Sequence, residues 1–201
     1  MGQTPTHGTG LERELARYLE RWPQEGESVR LFAALQVEDA AGDSDAYVRE
    51  RLAGHFTASC WLVDRAGERV LLTHHRKLDR WLQLGGHADG ERDLRAVALK
   101  EAAEESGLTG LAVEGALFDL DRHWIPEHKG VPGHWHYDAR YVVRAAAGED
   151  FVVSDESHAL AWRDIAAIAA DEDMDPSLRR MARKWLLLPF SLREKVARSA
   201  G

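Results

Sequence analysis

The chain has 201 residues, of which 44% are hydrophobic and 30% charged, and its formal net charge at pH 7 is −8. This length supports one substantial hydrophobic core with additions, and the acidic balance argues against an extended nucleic-acid surface. No apolar run is long enough to span a membrane, and the first residues lack the basic and apolar regions of a signal peptide. The single cysteine, Cys60, is typical of a reducing compartment, so we expect a cytoplasmic protein.

The N-terminal part of the chain predicts helices. A capping-box pattern at Thr9 predicts a helix that ends near Pro23. Apolar spacing predicts a second helix over residues 27–39 and a third, shorter one over residues 46–52. We therefore expect residues 1–54 to form an N-terminal helical extension, which could pack on the following domain, form a homodimer contact or cover a substrate.

Strand signals follow this helical part. The segment from His55 to Val63 is rich in β-branched and aromatic residues, and a turn after it leads into a returning strand over residues 69–73. Residues 74–81 form a basic segment that predicts a hairpin loop. Within it, Arg76 could contact a phosphate or could simply be solvated. Further strands are predicted over residues 110–121 and 134–144.

The centre of the sequence is a glycine pair followed by an acidic helix, GGHADGERDLRAVALKEAAEESGL, in which Gly107 ends the helix. Positions three and four apart on a helix share a face. The last two turns carry three carboxylates, which we expect together on one face: Glu101, Glu104 and Glu105. Apolar residues occupy the same face one to three turns earlier, so the carboxylates should point toward the protein interior.

Three carboxylates on an inward face repel one another and resist desolvation, so a compensating cation is expected. Mg²⁺ is a hard ion that carboxylates and backbone oxygens bind. From spacing alone, the alternative is an acidic helix end that is solvated, with Lys100 and Glu104 as an ordinary surface pair.

Residues 86–108 resemble the Nudix box, G-x5-E-x7-R-E-U-x-E-E-x-G-U, where U is aliphatic. The C-terminal half of this pattern matches, except that Lys100 stands in place of the box arginine. At the position of the early glutamate the chain has Arg92, while Glu91 lies one residue sooner. The box glycine is Gly86, and the full length of the box is kept.

The resemblance implies the α/β fold of this family, a Nudix-type α/β/α sandwich with a mixed β-sheet. We expect the Nudix hydrolase domain to span residues 55–172. Asp175 followed by proline predicts a helix that reaches Leu187, and a second capping box predicts another helix after it. Residues 173–201 are therefore expected to add C-terminal helices that pack on the same domain.

The resemblance also implies divalent-metal-dependent hydrolysis of a phosphoanhydride bond, in a nucleoside diphosphate linked to another moiety such as ADP-ribose or a nucleotide. The implied cofactor is Mg²⁺ (or Mn²⁺), held by the carbonyl of Gly85 and the three box glutamates. Glu104, Glu105 or Glu156 would deprotonate the attacking water. Lys100 would hold the carboxylates in register, although lysine lacks the bidentate fork of arginine.

The strand predicted over residues 134–144 has a polar face. Because side chains alternate along a strand, one face carries His134, His136, Asp138 and Arg140. We expect this face to line the substrate cleft. There His136 and Arg140 would contact phosphate, or His136 and Asp138 would bind a further cation such as Zn²⁺. The alternative is a solvated face beside the N-terminal helices.

Two other function classes are compatible with this fold. A non-catalytic Nudix-like module would bind a ligand or regulate, but such modules usually lack the box carboxylates that are present here. An enzyme similar to isopentenyl diphosphate isomerase would need a reactive cysteine, and Cys60 in an apolar strand fits that role poorly. The expected partner is a small nucleotide or diphosphate substrate, whose identity the sequence does not specify.

Overall fold

The structure, a computed structural model, describes residues 10–42, 44–76, 79–153 and 157–189. The helices have these bounds: α1 (Gly10–Arg21), α2 (Gly26–Ala40), α3 (Leu94–Ser106), α4 (Ile165–Ala170) and α5 (Pro176–Leu187). The strands are β1 (His55–Val63), β2 (Arg69–His75), β3 (Arg80–Leu82), β4 (Leu84–His87), β5 (Leu111–Ile125), β6 (His134–Ala145) and β7 (Ser157–Asp164). The second C-terminal helix predicted from Ser191 lies outside the described residues.

The seven strands form one sheet, with the order β3-β2-β1-β6-β5 and with β4 paired to β1 and β7 paired to β2. The pair β1 and β6 is parallel, whereas the other pairs are antiparallel. The sheet is therefore mixed, as predicted. In β5 the register shifts between Glu114 and Asp119, next to Gly115, whose φ of +69 lies in the left-handed region.

Helices cover both faces of this sheet. The side chains of β1 alternate between the two faces, so this strand contributes to the core on each side. Phe56, Ala58 and Cys60 belong to a core shared with α1, α2 and α3. Trp61 and Val63 belong to a second core shared with α4 and α5. This arrangement confirms the predicted α/β/α sandwich with a mixed sheet. Within the described ranges, no helix combines the length and apolar character needed to cross a membrane.

The third predicted helix, over residues 46–52, is wrong. This segment consists of turns, because two of its carbonyls bind partners outside the segment. The carbonyl of Ala46 accepts from the N–H of Phe56 at 2.8 Å, and that of Tyr47 accepts from the N–H of Gly90 at 2.8 Å. The N–H of Ala46 donates to the Asp39 carboxylate at 2.9 Å. These bonds tie the N-terminal segment to β1 and to the loop before α3.

Two short strands were also not predicted. β3 begins within residues 74–81, which were predicted to form a hairpin loop, and β4 follows shortly after them. β4 pairs with β1 so that Gly85 lies opposite Ser59 and Gly86 opposite Ala58. The glycine pair is therefore held as a strand against the central strand of the sheet.

Candidate active site

The ends of α3 are fixed by local hydrogen bonds. At its start, the Asp93 side chain accepts from the backbone N–H groups of Arg95 and Ala96. At its end, Gly107 adopts φ +68, a left-handed conformation that glycine enters without steric cost. Apolar residues on one side of α3 pack in the core: Leu94, Val97, Ala98 and Ala102. The rotation of the helix, and with it the direction of the glutamates, is thereby set.

Two of the three box carboxylates lie against the glycine pair. The N–H of Gly85 donates to Glu105 Oε1 at 2.8 Å. A Cβ atom placed on Gly86 would lie only 2.6 Å from the carboxyl carbon of Glu101. Glu101 and Glu105 are separated by one helical turn, so both can turn toward β4.

The third carboxylate has a different environment. The Glu104 side chain is 60% exposed, whereas that of Glu101 is 16% exposed. A helix turns about 100° per residue, which places Glu104 about 100° away from Glu105 around the axis. The expectation that all three carboxylates point inward is therefore corrected: two do, and Glu104 lies at the solvent-facing edge.

Lys100 lies between two of the glutamates. Its Nζ is 3.3 Å from Glu101 Oε1 and 3.5 Å from Glu104 Oε2. The lysine thus occupies the position expected for a residue that holds box carboxylates in register, from an exposed site on the helix. A charge pair of this exposure contributes little to the stability of the fold.

Substitution by alanine should affect the stability of the fold differently at the two glycines. We expect Gly86→Ala to leave the free energy of unfolding nearly unchanged, because its Cβ would meet only the mobile end of the Glu101 side chain. Gly85→Ala should destabilise the fold, because its Cβ would lie 2.6 Å from the Cα of Ser59. Urea unfolding of both variants checks this prediction, with Gly10→Ala as control because nothing lies within 4 Å of the added atom.

Activity provides the second measurement on Gly86→Ala. Displacement of the Glu101 carboxylate should weaken turnover even though the protein remains folded. A folded Gly86→Ala variant with full activity would show that the position of Glu101 is unimportant.

The departures from the box pattern connect α3 to the N-terminal helices. Arg92 pairs with Asp39 at 2.6 Å and with Asp45 at 3.6 Å, and its guanidinium lies over the ring of Tyr47. Glu91 accepts from the N–H of Asp93 at 2.8 Å. The loop before α3 is thus braced by the helical extension rather than by a pair within the box.

Asp138 and Arg140 do not line an open cleft, which corrects the expectation for these two residues. Both side chains are buried, and Arg140 Nε donates to Asp138 Oδ2 at 2.7 Å. Asp138 also accepts from the hydroxyls of Thr57 and Ser59. The physical reason is that α5 covers this part of the polar face, with Ser177 in contact with Arg140. Arg140 is therefore occupied by internal partners.

Arg140 belongs to a larger buried charge network around Asp119. Asp119 accepts from Arg140 at 3.1 Å, from Arg180 at 2.8 Å and from Lys184 at 2.6 Å. Lys184 also donates to the Tyr18 hydroxyl at 2.6 Å, and so connects α5 to α1. Burial alone would raise the pKa of Asp119, but Arg180 and the other cations hold the pKa below its ordinary value.

Histidines occupy the remaining end of this polar face. His55 lies opposite His136 in the β1–β6 pair, and Thr57 lies opposite His87 in the β1–β4 pair. The ring centroid of His55 lies 5.3 Å from that of His87, 5.1 Å from that of His134 and 4.9 Å from that of His136. Burial, together with the neighbouring histidines and, for His87, the cation of Arg49, lowers the pKa of His136 to about 2 and that of His87 to about 4. These imidazoles are neutral at neutral pH.

Sequence reasoning missed His55 and His87 in this cluster. Alternation along β6 placed His134 and His136 on one face, but a single-strand pattern carries no information about neighbouring strands. The pairing register brings in the other two histidines. A signal was available in the position of His87 directly after the glycine pair.

Two predicted site residues remain, of which the structure describes one. Arg76 is exposed directly after β2, as expected for either a phosphate contact or a solvated side chain. Glu156, a candidate base, lies outside the described residues.

Comparisons with known proteins identify the family and the fold. The sequence model of the NUDIX domain matches residues 54–185. A hydrolase of the NUDIX family from Clostridium perfringens superimposes with a TM-score of 0.53 at 21% identity, over 67% of this chain and 98% of that one. No curated protein sequence matches the chain.

Two further solved structures share the fold. An Ap4A hydrolase from C. elegans has a TM-score of 0.51 at 19% identity, over 65% of this chain and 94% of that one. The dihydroneopterin triphosphate pyrophosphohydrolase of E. coli has a TM-score of 0.51 at 18% identity, over 64% of this chain and 92% of that one. At such identities the likeness shows the fold, and the family is shown by the sequence match over residues 54–185. With the box at Gly86 and the glutamates of α3 in place, the chain belongs to the Nudix hydrolase family of enzymes.

Proposed function

We propose that the chain hydrolyses a phosphoanhydride bond in a nucleoside diphosphate linked to another moiety, such as ADP-ribose or a nucleotide, with Mg²⁺ or Mn²⁺ as cofactor. The observation that carries the proposal is the placement of Glu101 and Glu105 against the glycine pair of β4. Two carboxylates on the inward side of a helix repel one another and resist desolvation, and a bound cation would compensate for both effects.

The donor set fits a hard divalent ion. Glu101, Glu105 and the carbonyl of Gly85 would supply oxygen ligands, which Mg²⁺ prefers, and Mg²⁺ usually keeps several waters beside one or two carboxylates. When bound, the ion would neutralise charge on the two phosphates and make water easier to deprotonate. The protein's own contribution is to hold these oxygens in a fixed position.

Among the candidate bases within the described residues, Glu104 is the one with an exposed carboxylate. We assign it the role of accepting the proton from the attacking water, since water can reach it without opening the fold. Lys100 would orient Glu104, because its Nζ lies 3.5 Å from Glu104 Oε2. Glu156 stays a candidate for the same role or for a further ligand.

The substrate-binding residue proposed for this reaction is Arg76, whereas for His136 we favour the other expectation from the sequence, that it binds a further cation. Arg76 is exposed and cationic at the end of β2, and His136 is partly buried on the polar face. Arg49 adds a cation near the box, since its pKa is raised by a hydrogen bond to Asp89 and also by the nearby charge of Glu101. Specificity between nucleotide conjugates would come from the loop between β5 and β6 and from the N-terminal helices.

An isomerase-like reaction through Cys60 is disfavoured by the structure. Cys60 is fully buried, and burial raises the pKa of its thiol well above the ordinary value. A thiol in that environment is a poor nucleophile or base. We also propose a cytoplasmic location, consistent with a single cysteine that is reduced and buried.

A hydrolysis screen tests the proposal directly. Purified protein is incubated with ADP-ribose, other nucleoside diphosphate conjugates, dinucleoside polyphosphates and nucleoside triphosphates, each with Mg²⁺, with Mn²⁺ and with EDTA. We expect metal-dependent formation of monophosphate products from at least one conjugate and no turnover with EDTA. If no compound is cleaved and neither ion raises the melting temperature, a non-catalytic ligand-binding module becomes the better description.

A further inference from the structure

The cluster of histidines on the polar face has a geometry that the proposed hydrolysis does not use. Within the described ranges, His55, His87 and His136 form a group whose ligand nitrogens all lie within 4.8 Å of one another. They come from three adjacent strands, β4, β1 and β6, which pair with each other. Because each side chain starts from a different strand, the sheet itself fixes their relative positions.

One nitrogen in this cluster is buried without a partner. His55 is 1% exposed, and its Nδ1 lies 3.2 Å from the carbonyl oxygen of Arg51. A carbonyl can only accept, so Nδ1 carries the hydrogen and Nε2 presents a lone pair. That Nε2 has no hydrogen-bond partner among the residues that the structure describes. Buried polar atoms are normally satisfied, so an unsatisfied one calls for a ligand.

A second imidazole is oriented in the same way. His134 Nδ1 lies 2.8 Å from the carbonyl oxygen of Pro132, so its Nε2 also presents a lone pair. That atom is 3.1 Å from Nε2 of His136. Two nitrogens bound to one tetrahedral ion at about 2.0–2.1 Å would be separated by about 3.3 Å. The spacing therefore suits an N–H···N hydrogen bond and also suits two ligands of one ion.

We propose that His55, His87 and His136 bind a divalent transition-metal ion of the Zn²⁺ class, with His134 as a fourth ligand or as the group that orients His136. Imidazole nitrogens favour Zn²⁺, Cu²⁺, Ni²⁺ and Co²⁺, whereas Mg²⁺ favours oxygen. Hydrogen bonds from Nδ1 to backbone carbonyls are the usual way in which a metal-binding histidine is oriented. Of the proposed ligands, Nε2 of His55 would be the most deeply buried.

This site is separate from the carboxylate site of α3 but adjacent to it in the chain. His87 directly follows Gly86, so an ion bound to His87 would fix the glycine pair against β1 and β6. The expected consequences are a higher melting temperature and a more rigid support for Glu101, not a new catalytic group.

Cobalt binding to the full chain without an affinity tag tests the proposal. Protein stripped with EDTA is titrated with Co²⁺ in excess Mg²⁺, and the visible absorption of nitrogen-bound Co²⁺ is followed, with Zn²⁺ added last as competitor. We expect about one Co²⁺ per chain, displaced by Zn²⁺, and a rise in melting temperature. Substitution of His136→Gln or His87→Gln should weaken binding by at least about a hundredfold.

Two control variants separate this site from the others. His128→Gln alters an exposed histidine in the loop between β5 and β6, and Glu105→Gln alters the carboxylate site. Both should bind Co²⁺ as the unmodified chain does. The proposal is overturned if the unmodified chain gives no such absorption, or if binding survives in folded His136→Gln and His87→Gln but is lost in Glu105→Gln. Circular dichroism establishes that each variant is folded.

Discussion

Substitution of Glu105→Gln is expected to reduce metal-dependent turnover by at least about a hundredfold while the protein stays folded. The amide keeps an oxygen that can accept from the N–H of Gly85, which the carboxylate accepts from at 2.8 Å. It removes the negative charge that a divalent ion needs. Removal of a residue that only hydrogen-bonds to a metal ligand already lowers metal affinity or activity ten- to a hundredfold in many proteins. The measurement is kcat/KM on the best substrate of the screen at saturating Mg²⁺, together with the far-UV spectrum.

A matched control distinguishes the loss of this carboxylate from the loss of any acid. Glu20→Gln makes the same chemical change at an exposed position of α1, and we expect unchanged activity. If Glu105→Gln retained the activity of the unmodified chain, the assignment of the carboxylate site on α3 would be wrong.

The second large effect is expected from Asp119→Ala, which should lower the free energy of unfolding by about 3–5 kcal/mol. Asp119 is fully buried and accepts from Arg140, Arg180 and Lys184. Its removal leaves several cations in the interior with less compensating charge, and an uncompensated buried charge is strongly destabilising. Urea unfolding at neutral pH measures the change.

Two comparisons make this result interpretable. Asp150→Ala, at an exposed position after β6, should change stability by less than about 0.5 kcal/mol. Lys184→Met should cost less than Asp119→Ala, because Asp119 keeps Arg140 and Arg180 as partners. Equal stability of Asp119→Ala and the unmodified chain would mean that the network does not stabilise the fold.

The same network predicts an acid dependence. The pKa of Asp119 in the folded protein is held below its ordinary value, whereas the unfolded chain should have a value of about 3.9. The stabilisation is therefore fully present above about pH 4 and is lost as the pH falls through the folded-state pKa. Asp119→Ala should show a shallower loss of stability on acidification, which unfolding curves across this range would reveal.

The elements that were predictable from sequence are those specified locally. β1 was predicted with its observed bounds because a run rich in β-branched and aromatic residues ends at a turn. α3 carries its own start and stop signals in Asp93 and Gly107. The resemblance to the Nudix box added the overall fold, which no local pattern contains.

The features that were missed depend on distant partners. Residues 46–52 form turns instead of a helix because the carbonyls at 46 and 47 accept from the N–H groups of Phe56 and Gly90. β4 has only four residues, two of them glycine, and is a strand because β1 lies beside it. Arg140 was expected in a cleft, but α5 covers it. In each case the deciding contact comes from a segment far away in sequence.

The bond between Lys184 and Tyr18 has a consequence for how this protein can be divided. The region that matches the family model starts at residue 54. In α1, however, the Tyr18 hydroxyl accepts from Lys184 at 2.6 Å, and the Glu14 carboxylate accepts from the hydroxyl of Tyr141 at 2.7 Å. Cutting the chain at residue 54 would remove polar partners from two buried groups. The segment that matches the family model is thus shorter than the unit that these hydrogen bonds hold together.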